Sequence, residues 1–92
     1  MRFGWDSRKN AENIHKHGIA FADAAGMFQH PMLVGLDTRE DYGEDRWIGI
    51  GLLRDVVAVV VFTEKPDGTV RIISARKATK HETQRYGEYL SH

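Results

Sequence analysis

RWIGIGLLRDVVAVVVFTEKPDGTVRIISARK, running from Arg46 to Lys77, decides the fold. It divides into three extended segments separated by two turn signals. In Arg46 to Leu53 the residues alternate, with Ile48, Ile50 and Leu52 on one face and Trp47, Gly49, Gly51 and Leu53 on the other. Arg54-Asp55 is a tight connection. Val56 to Phe62 is apolar without alternation and rich in Val, the pattern of a central strand covered on both faces. Lys65-Pro66-Asp67-Gly68 is turn chemistry, because Pro fixes φ and Gly tolerates positive φ. Thr69 to Ala75 is the last strand. Short turns between consecutive strands predict an antiparallel meander.

Beyond the meander, Thr79-Lys80-His81-Glu82 matches a capping box and predicts a final helix to about Leu90. Tyr86, Tyr89 and Leu90 form a core stripe on it, and Gly87 costs about 1 kcal/mol relative to Ala. Before the meander, Asp37 to Asp45 reads as a polar, acidic loop and Met32 to Leu36 as a strand. Ala20 to Phe28 predicts a helix with Phe21, Ala24, Ala25 and Phe28 facing a core, ended by Pro31. Phe3 to Trp5 is a short strand. Asp6 or Ser7 caps a helix that runs to about His17, with Gly18 as its left-handed terminator. Ala11, Ile14 and Gly18 share one face of that helix, and Lys9, Asn13 and Lys16 share the opposite one. The apolar face is thin, so the polar face is either solvated or makes specific polar contacts. The order β-α-α-β-β-β-β-α predicts one α+β domain over residues 1–92 with a mostly antiparallel sheet.

The 92 residues carry 13 Lys plus Arg and 13 Asp plus Glu, so the formal net charge is zero. That argues against a protein that coats DNA. The charge is nonetheless segregated: residues 21–45 carry six acids against one base, and residues 64–92 carry six bases against four acids. There is no Cys, which excludes disulfides and thiolate zinc sites. The longest apolar run, Val56 to Phe62, is too short to span a membrane, and MRFGWDSRKN holds no secretory signal. A cytoplasmic protein with no membrane partner is expected.

The sequence holds no P-loop, no G-x-S-x-G, no H-E-x-x-H and no dinucleotide fingerprint. His15 and His17 point about 160° apart on a regular helix and cannot chelate one ion, so neither metal nor other cofactor is expected. Bases gather at the end of the chain as Arg71, Arg76, Lys77 and Lys80, and Arg46 begins a neighbouring strand. Strict alternation puts Arg71 with Ile73 and Ala75 and puts Arg76 with Ile72 and Ser74. The two share a pocket only where the strand bends between them. His81 and Tyr86 lie on the final helix beside this cluster. His81 also suits a solvent-facing first helical turn, and Tyr86 a core position.

The whole chain resembles the BrnT family of bacterial type II toxins, which look like RelE-type ribonucleases. WDSRKNAENIHKHGIAF (Trp5 to Phe21) resembles the family's W-D, K, N, K-H-G, F pattern, and GEDRWIGIG (Gly43 to Gly51) its G-E-x-R-W segment. VVFTEK (Val60 to Lys65) resembles its strand ending. RIISARKA (Arg71 to Ala78), with Glu82 and Tyr86, resembles its closing signature. Lys65 stands where Arg is common in the family, and His81 where another basic residue is common.

The resemblance implies a RelE-like toxin fold and a metal-independent endoribonuclease that cleaves mRNA. It also implies neutralisation by a BrnA-type antitoxin, which carries the DNA-binding element. For such an enzyme Arg46 and Arg76 are the first candidates for a phosphate clamp, with Arg71 in reserve. His81 or His17 is the proton carrier, and Tyr86 stacks on or orients a base. Lys9, Lys16, Lys65, Lys77 and Lys80 attract the RNA backbone. The Lys9–Asn13–Lys16 stripe serves equally well as a structural network. The competing reading is a catalytically inactive module that keeps the toxin fold for protein binding in an operon-repressing complex.

Overall fold

In a computed structural model describing all 92 residues, strand β4 (Val56–Glu64) lies at the centre of a five-stranded sheet. It is buried without interruption from Ala58 to Thr63, as its unbroken valine run requires. The other elements are β1 (Phe3–Gly4), α1 (Ser7–His17), α2 (Phe21–Ala24), β2 (Leu33–Leu36), β3 (Trp47–Leu53), β5 (Val70–Lys77) and α3 (Lys80–Leu90). The strand order is β1-β5-β4-β3-β2, antiparallel throughout except where β1 runs parallel to β5. The α+β architecture expected from the sequence is present.

The sheet has two unequal faces. One meets α1 and α2 over a core of eleven buried residues that includes Phe21, Met27, Val60 and Ile72. The other meets only α3, over Ile50, Val59 and Tyr86. A fully buried side chain of this size contributes about 1.5–3 kcal/mol, so the first face dominates stability.

Two expectations need correction. The second helix is α-helical only to Ala24 and tightens into a 3-10 turn over Ala25–Gln29. Met27 therefore joins Phe21 and Ala24 at 0 % exposure, spaced by three as a 3-10 helix eclipses its side chains, while Ala25 and Phe28 pack against the same core and are only partly buried. Helix α1 turns its expected apolar side outward, leaving Ile14 45 % exposed, while Asn13 is buried at 6 %. Its amide-bearing face docks onto the protein.

Strand β5 carries a bulge. Val61 pairs with Ser74 but Phe62 pairs with Ile72, so Ile73 is the extra residue. One extra residue reverses the alternation. Ile72 and Ala75 accordingly face the same core. Arg71, opposite Thr63, and Arg76, opposite Val59, then share the face that carries α3.

Gly49 and Gly51 on β3 leave room for Met32. A Cβ at Gly51 would lie 2.7 Å from Met32 Cγ and 3.6 Å from the Pro31 carbonyl oxygen. Overpacking of this kind costs about 1–3 kcal/mol. Gly51→Ala is expected to lower the urea midpoint accordingly, whereas Gly35→Ala, with open space around it, leaves the midpoint within error.

Candidate active site

Strand β1 pairs with β5 only at Val70 and Arg71. Further along, the edge of β5 would expose unpaired peptide groups, and α1 closes it. Asp6 caps α1 by accepting from the amides of Arg8 and Lys9, and Gly18 ends it at φ 71°. Asn13 then acts as a surrogate strand. Its Nδ2 donates to the Ala75 carbonyl at 2.9 Å and to the Ile19 carbonyl at 2.8 Å, and its Oδ1 accepts from the Ala75 amide at 3.1 Å. Asn10 Oδ1 accepts from the Phe21 amide at 2.9 Å, fixing the start of α2. This docking directs Lys9, Lys16 and His17 along the β5 edge. With Ile73 and Ser74 at the bulge they line a groove of about 250 Å³.

Arg71 lies on the same strand, on the sheet face that carries α3. It makes no hydrogen bond or ion pair within the protein. It lines a second hollow of about 610 Å³ with Thr63 and Lys65, and Glu44, Asp45 and Glu64 line the same hollow. The Asp6 carboxyl caps α1. It is held below its ordinary pKa first by the Lys9 amide and then by the Arg8 amide, against desolvation, with the charges of Lys9 and Arg71 adding to the effect.

Arg76 shares a sheet face with Arg71, but its fork is occupied. Its two terminal nitrogens donate to the two Glu82 carboxylate oxygens at 2.8 Å each. Glu82 also accepts from the Thr79 amide at 2.8 Å, completing the expected capping box. The Arg76 hydrogen bonds bring the Glu82 carboxyl down to about 2, against the opposing effect of desolvation. A depressed carboxyl stabilises the fold above its unfolded pKa of 4.5 and loses that contribution as pH falls towards 2. The Tm difference between wild type and Glu82→Gln is therefore expected to be full at pH 6, to shrink as pH falls below 4.5 and to vanish only below about pH 2. A difference independent of pH would show that the pair contributes nothing through charge.

Arg46 lies at the corner where the acidic loop joins β3. Its guanidinium carbon sits 4.1 Å from the centre of the Tyr42 ring, and its Nε is 3.6 Å from Glu44. Tyr42 donates to Asp37 at 3.1 Å, and Arg39 donates to the two oxygens of Asp37 at 2.8 Å each. The Arg39 fork holds the Asp37 carboxyl well below the ordinary range. Part of the acidic loop's charge is thus neutralised within the loop.

The remaining sequence candidates lie apart from the groove. His81, Lys77 and Lys80 are exposed where β5 gives way to α3. Tyr86 is 3 % exposed and its hydroxyl donates to the Pro31 carbonyl at 2.7 Å. Tyr86 alone of the expected stripe enters the core, since Tyr89 and Leu90 are exposed, and it has no free face on which a base can stack. Of the two roles open to the Lys9–Asn13–Lys16 stripe, Asn13 takes the structural one, with Ala75 of β5 as a partner that the sequence did not identify. The signal was a helix too poor in apolar residues to be held by them.

A metal ion needs clustered donors, and no three His, Asp or Glu side chains are grouped to hold one. No helix is long and apolar enough to cross a membrane. The class defined by the geometry is a small α+β fold with Lys9, Lys16, His17 and Arg71 along and beside one sheet edge. More particularly, the chain belongs to the BrnT family: residues 5–82 match the ribonuclease toxin, BrnT, of type II toxin-antitoxin systems. It is also similar to the crystal structure of the Brucella abortus ribonuclease toxin BrnT, with 28 % identity and a TM-score of 0.68 over 87 % of this chain and 99 % of that one. No curated protein matches the sequence. Family membership brings an antitoxin protein as partner.

Proposed function

We propose that this chain is a metal-independent endoribonuclease that cleaves mRNA in the cytoplasm and so stops translation. A BrnA-type antitoxin neutralises it, and any contact with DNA is made through that antitoxin. One observation carries the catalytic reading. Lys9, Lys16 and His17 line one groove at the β5 bulge together with Glu12, and on the same strand Arg71 lines a separate hollow with its guanidinium unpaired.

In the proposed reaction the 2′-hydroxyl of the RNA attacks the adjacent phosphorus. The 2′-oxygen–phosphorus bond forms as the bond to the 5′-oxygen breaks. A base removes the 2′-proton and an acid protonates the departing oxygen. DNA lacks the 2′-hydroxyl and does not react. Arg71 is the clamp for the phosphorane oxygens, because its fork is unoccupied. His17, in the groove with Lys9 and Lys16, carries a proton, and His81, exposed in the first turn of α3, is the second choice. Lys9, Lys16 and Lys65 hold the backbone near the scissile phosphate, with Lys77 and Lys80 extending the track. Arg76 and Arg46 add positive field while their own partners fix α3 and the acidic loop. Tyr86 holds α3 on the sheet.

Purified protein is incubated with a defined RNA, with and without EDTA, and the product ends are identified. Cleavage undiminished by chelator, leaving a 2′,3′-cyclic phosphate, is expected. Loss of activity in chelator would replace this mechanism with a metal-dependent one. The saturated fork of Arg76 favours the alternative of an inactive scaffold. That reading requires no cleavage and no toxicity when the chain is expressed without antitoxin.

A further inference from the structure

The far edge of the sheet is built differently from the cationic one. Strand β2 is the last strand, and nothing pairs with its outer side. The Asp37 amide donates to the Arg46 carbonyl at 2.7 Å, which fixes the ladder. Leu36 and Trp47 are then a non-hydrogen-bonded pair, as are Val34 and Gly49. The peptide groups of Val34 and Leu36 consequently point outward, unpaired, and their side chains are 45 % and 47 % exposed. Such an edge is a template for another strand. Beside it, on the α3 face, lies a groove of about 220 Å³ floored by Leu33, Ile48 and Ile50 and walled by Arg85. The groove exists because Gly35 has no side chain to fill it, and a Cβ there would meet nothing within 4 Å. Arg85 has no ion-pair partner in the chain.

We propose that this edge receives an extended segment of the antitoxin as a sixth strand. An apolar side chain of that segment fills the groove, and one of its carboxylates meets Arg85. The proposal rests on the toxin-antitoxin membership. It adds where the partner binds and by what chemistry: main-chain hydrogen bonds for affinity, alternate side chains for specificity.

A second copy of this chain fits less well. Antiparallel pairing through the outward groups of Val34 and Leu36 sets Gly35 against Gly35, so neither groove is filled. It also sets Asp37 opposite Leu33, and the Asp37 carboxylate is already bound by Arg39. A heterologous strand of apolar and acidic residues satisfies the edge, the groove and the cation together.

Amide hydrogen exchange is compared between the free chain and its complex with the co-expressed cognate antitoxin. The Val34 and Leu36 amides are expected to exchange at least 10-fold more slowly in the complex. Gly35→Val and Arg85→Glu are each expected to weaken antitoxin binding at least 10-fold, while RNA cleavage by the free variants is unchanged. Exchange at Val34 and Leu36 unaltered by antitoxin overturns the proposal. So does protection already present in the free chain together with a dimer mass, which would assign the edge to a second copy. Exchange is read on the wild-type chain, so a variant that misfolds does not remove the test. It is also independent of cleavage, so failure of the nuclease reading is seen separately.

Discussion

Arg71→Ala is expected to slow RNA cleavage about 100-fold, the scale of one lost transition-state donor, while leaving the urea midpoint unchanged. The separation of the two effects follows from the geometry. Arg71 holds nothing in the folded chain, so its removal orphans no partner. Its positive charge adds only slightly to the amides that hold the Asp6 carboxyl below its ordinary pKa. Arg71→Lys keeps the charge but loses the two-pronged fit, and should fall between wild type and Ala. Arg76→Ala offers no such separation. It leaves Glu82 without its guanidinium and loosens the first turn of α3, so stability and activity fall together. Single-turnover cleavage of a defined RNA, with urea titration of each variant, distinguishes these cases. Full activity in folded Arg71→Ala would remove Arg71 from the clamp and return the role to Arg46 or Arg76.

Why Arg71 rather than Arg76 emerges as the clamp shows where sequence reasoning stops. The strands of the meander were legible because their signals are local: alternation in β3, an unbroken valine run in β4, and turn residues between β4 and β5. The capping box at Thr79 and the left-handed Gly18 were legible for the same reason. The bulge at Ile73 was not. It is a property of how β5 pairs with β4, and it alone decides that Arg71 and Arg76 face the same way. The occupied fork of Arg76 was equally hidden, since Glu82 serves the capping box and the ion pair with one carboxylate. A polar stripe on α1 announced that something specific was needed there. Only the fold shows that Asn13 faces inward while Lys9, Lys16 and His17 flank the bulge.

Asn13→Leu carries the largest expected loss of stability, about 3 kcal/mol or more, because three buried main-chain groups lose their partner at a cost of at least about 1 kcal/mol each. Leu and Asn are close in size, so the loss reports hydrogen bonding and not an emptied cavity. The orphaned groups are the Ala75 amide, the Ala75 carbonyl and the Ile19 carbonyl. Against a total stability of about 5–15 kcal/mol for a domain of this kind, that is a large fraction. Asn13→Asp keeps the acceptor for the Ala75 amide but sets a carboxylate against two carbonyl oxygens, and should be no milder. Urea denaturation measures the loss, and exchange of the Ala75 amide locates it. A loss below about 1 kcal/mol would mean that α1 is held to the sheet by other contacts, given the net value of an ordinary hydrogen bond. The consequence for function is direct. Helix α1 carries Lys9, Lys16 and His17, so any opening between Asn13 and β5 disperses one wall of the groove while the rest of the sheet stays folded. In a variant such as Asn13→Ser, cleavage is accordingly expected to decline at urea concentrations below the global unfolding midpoint.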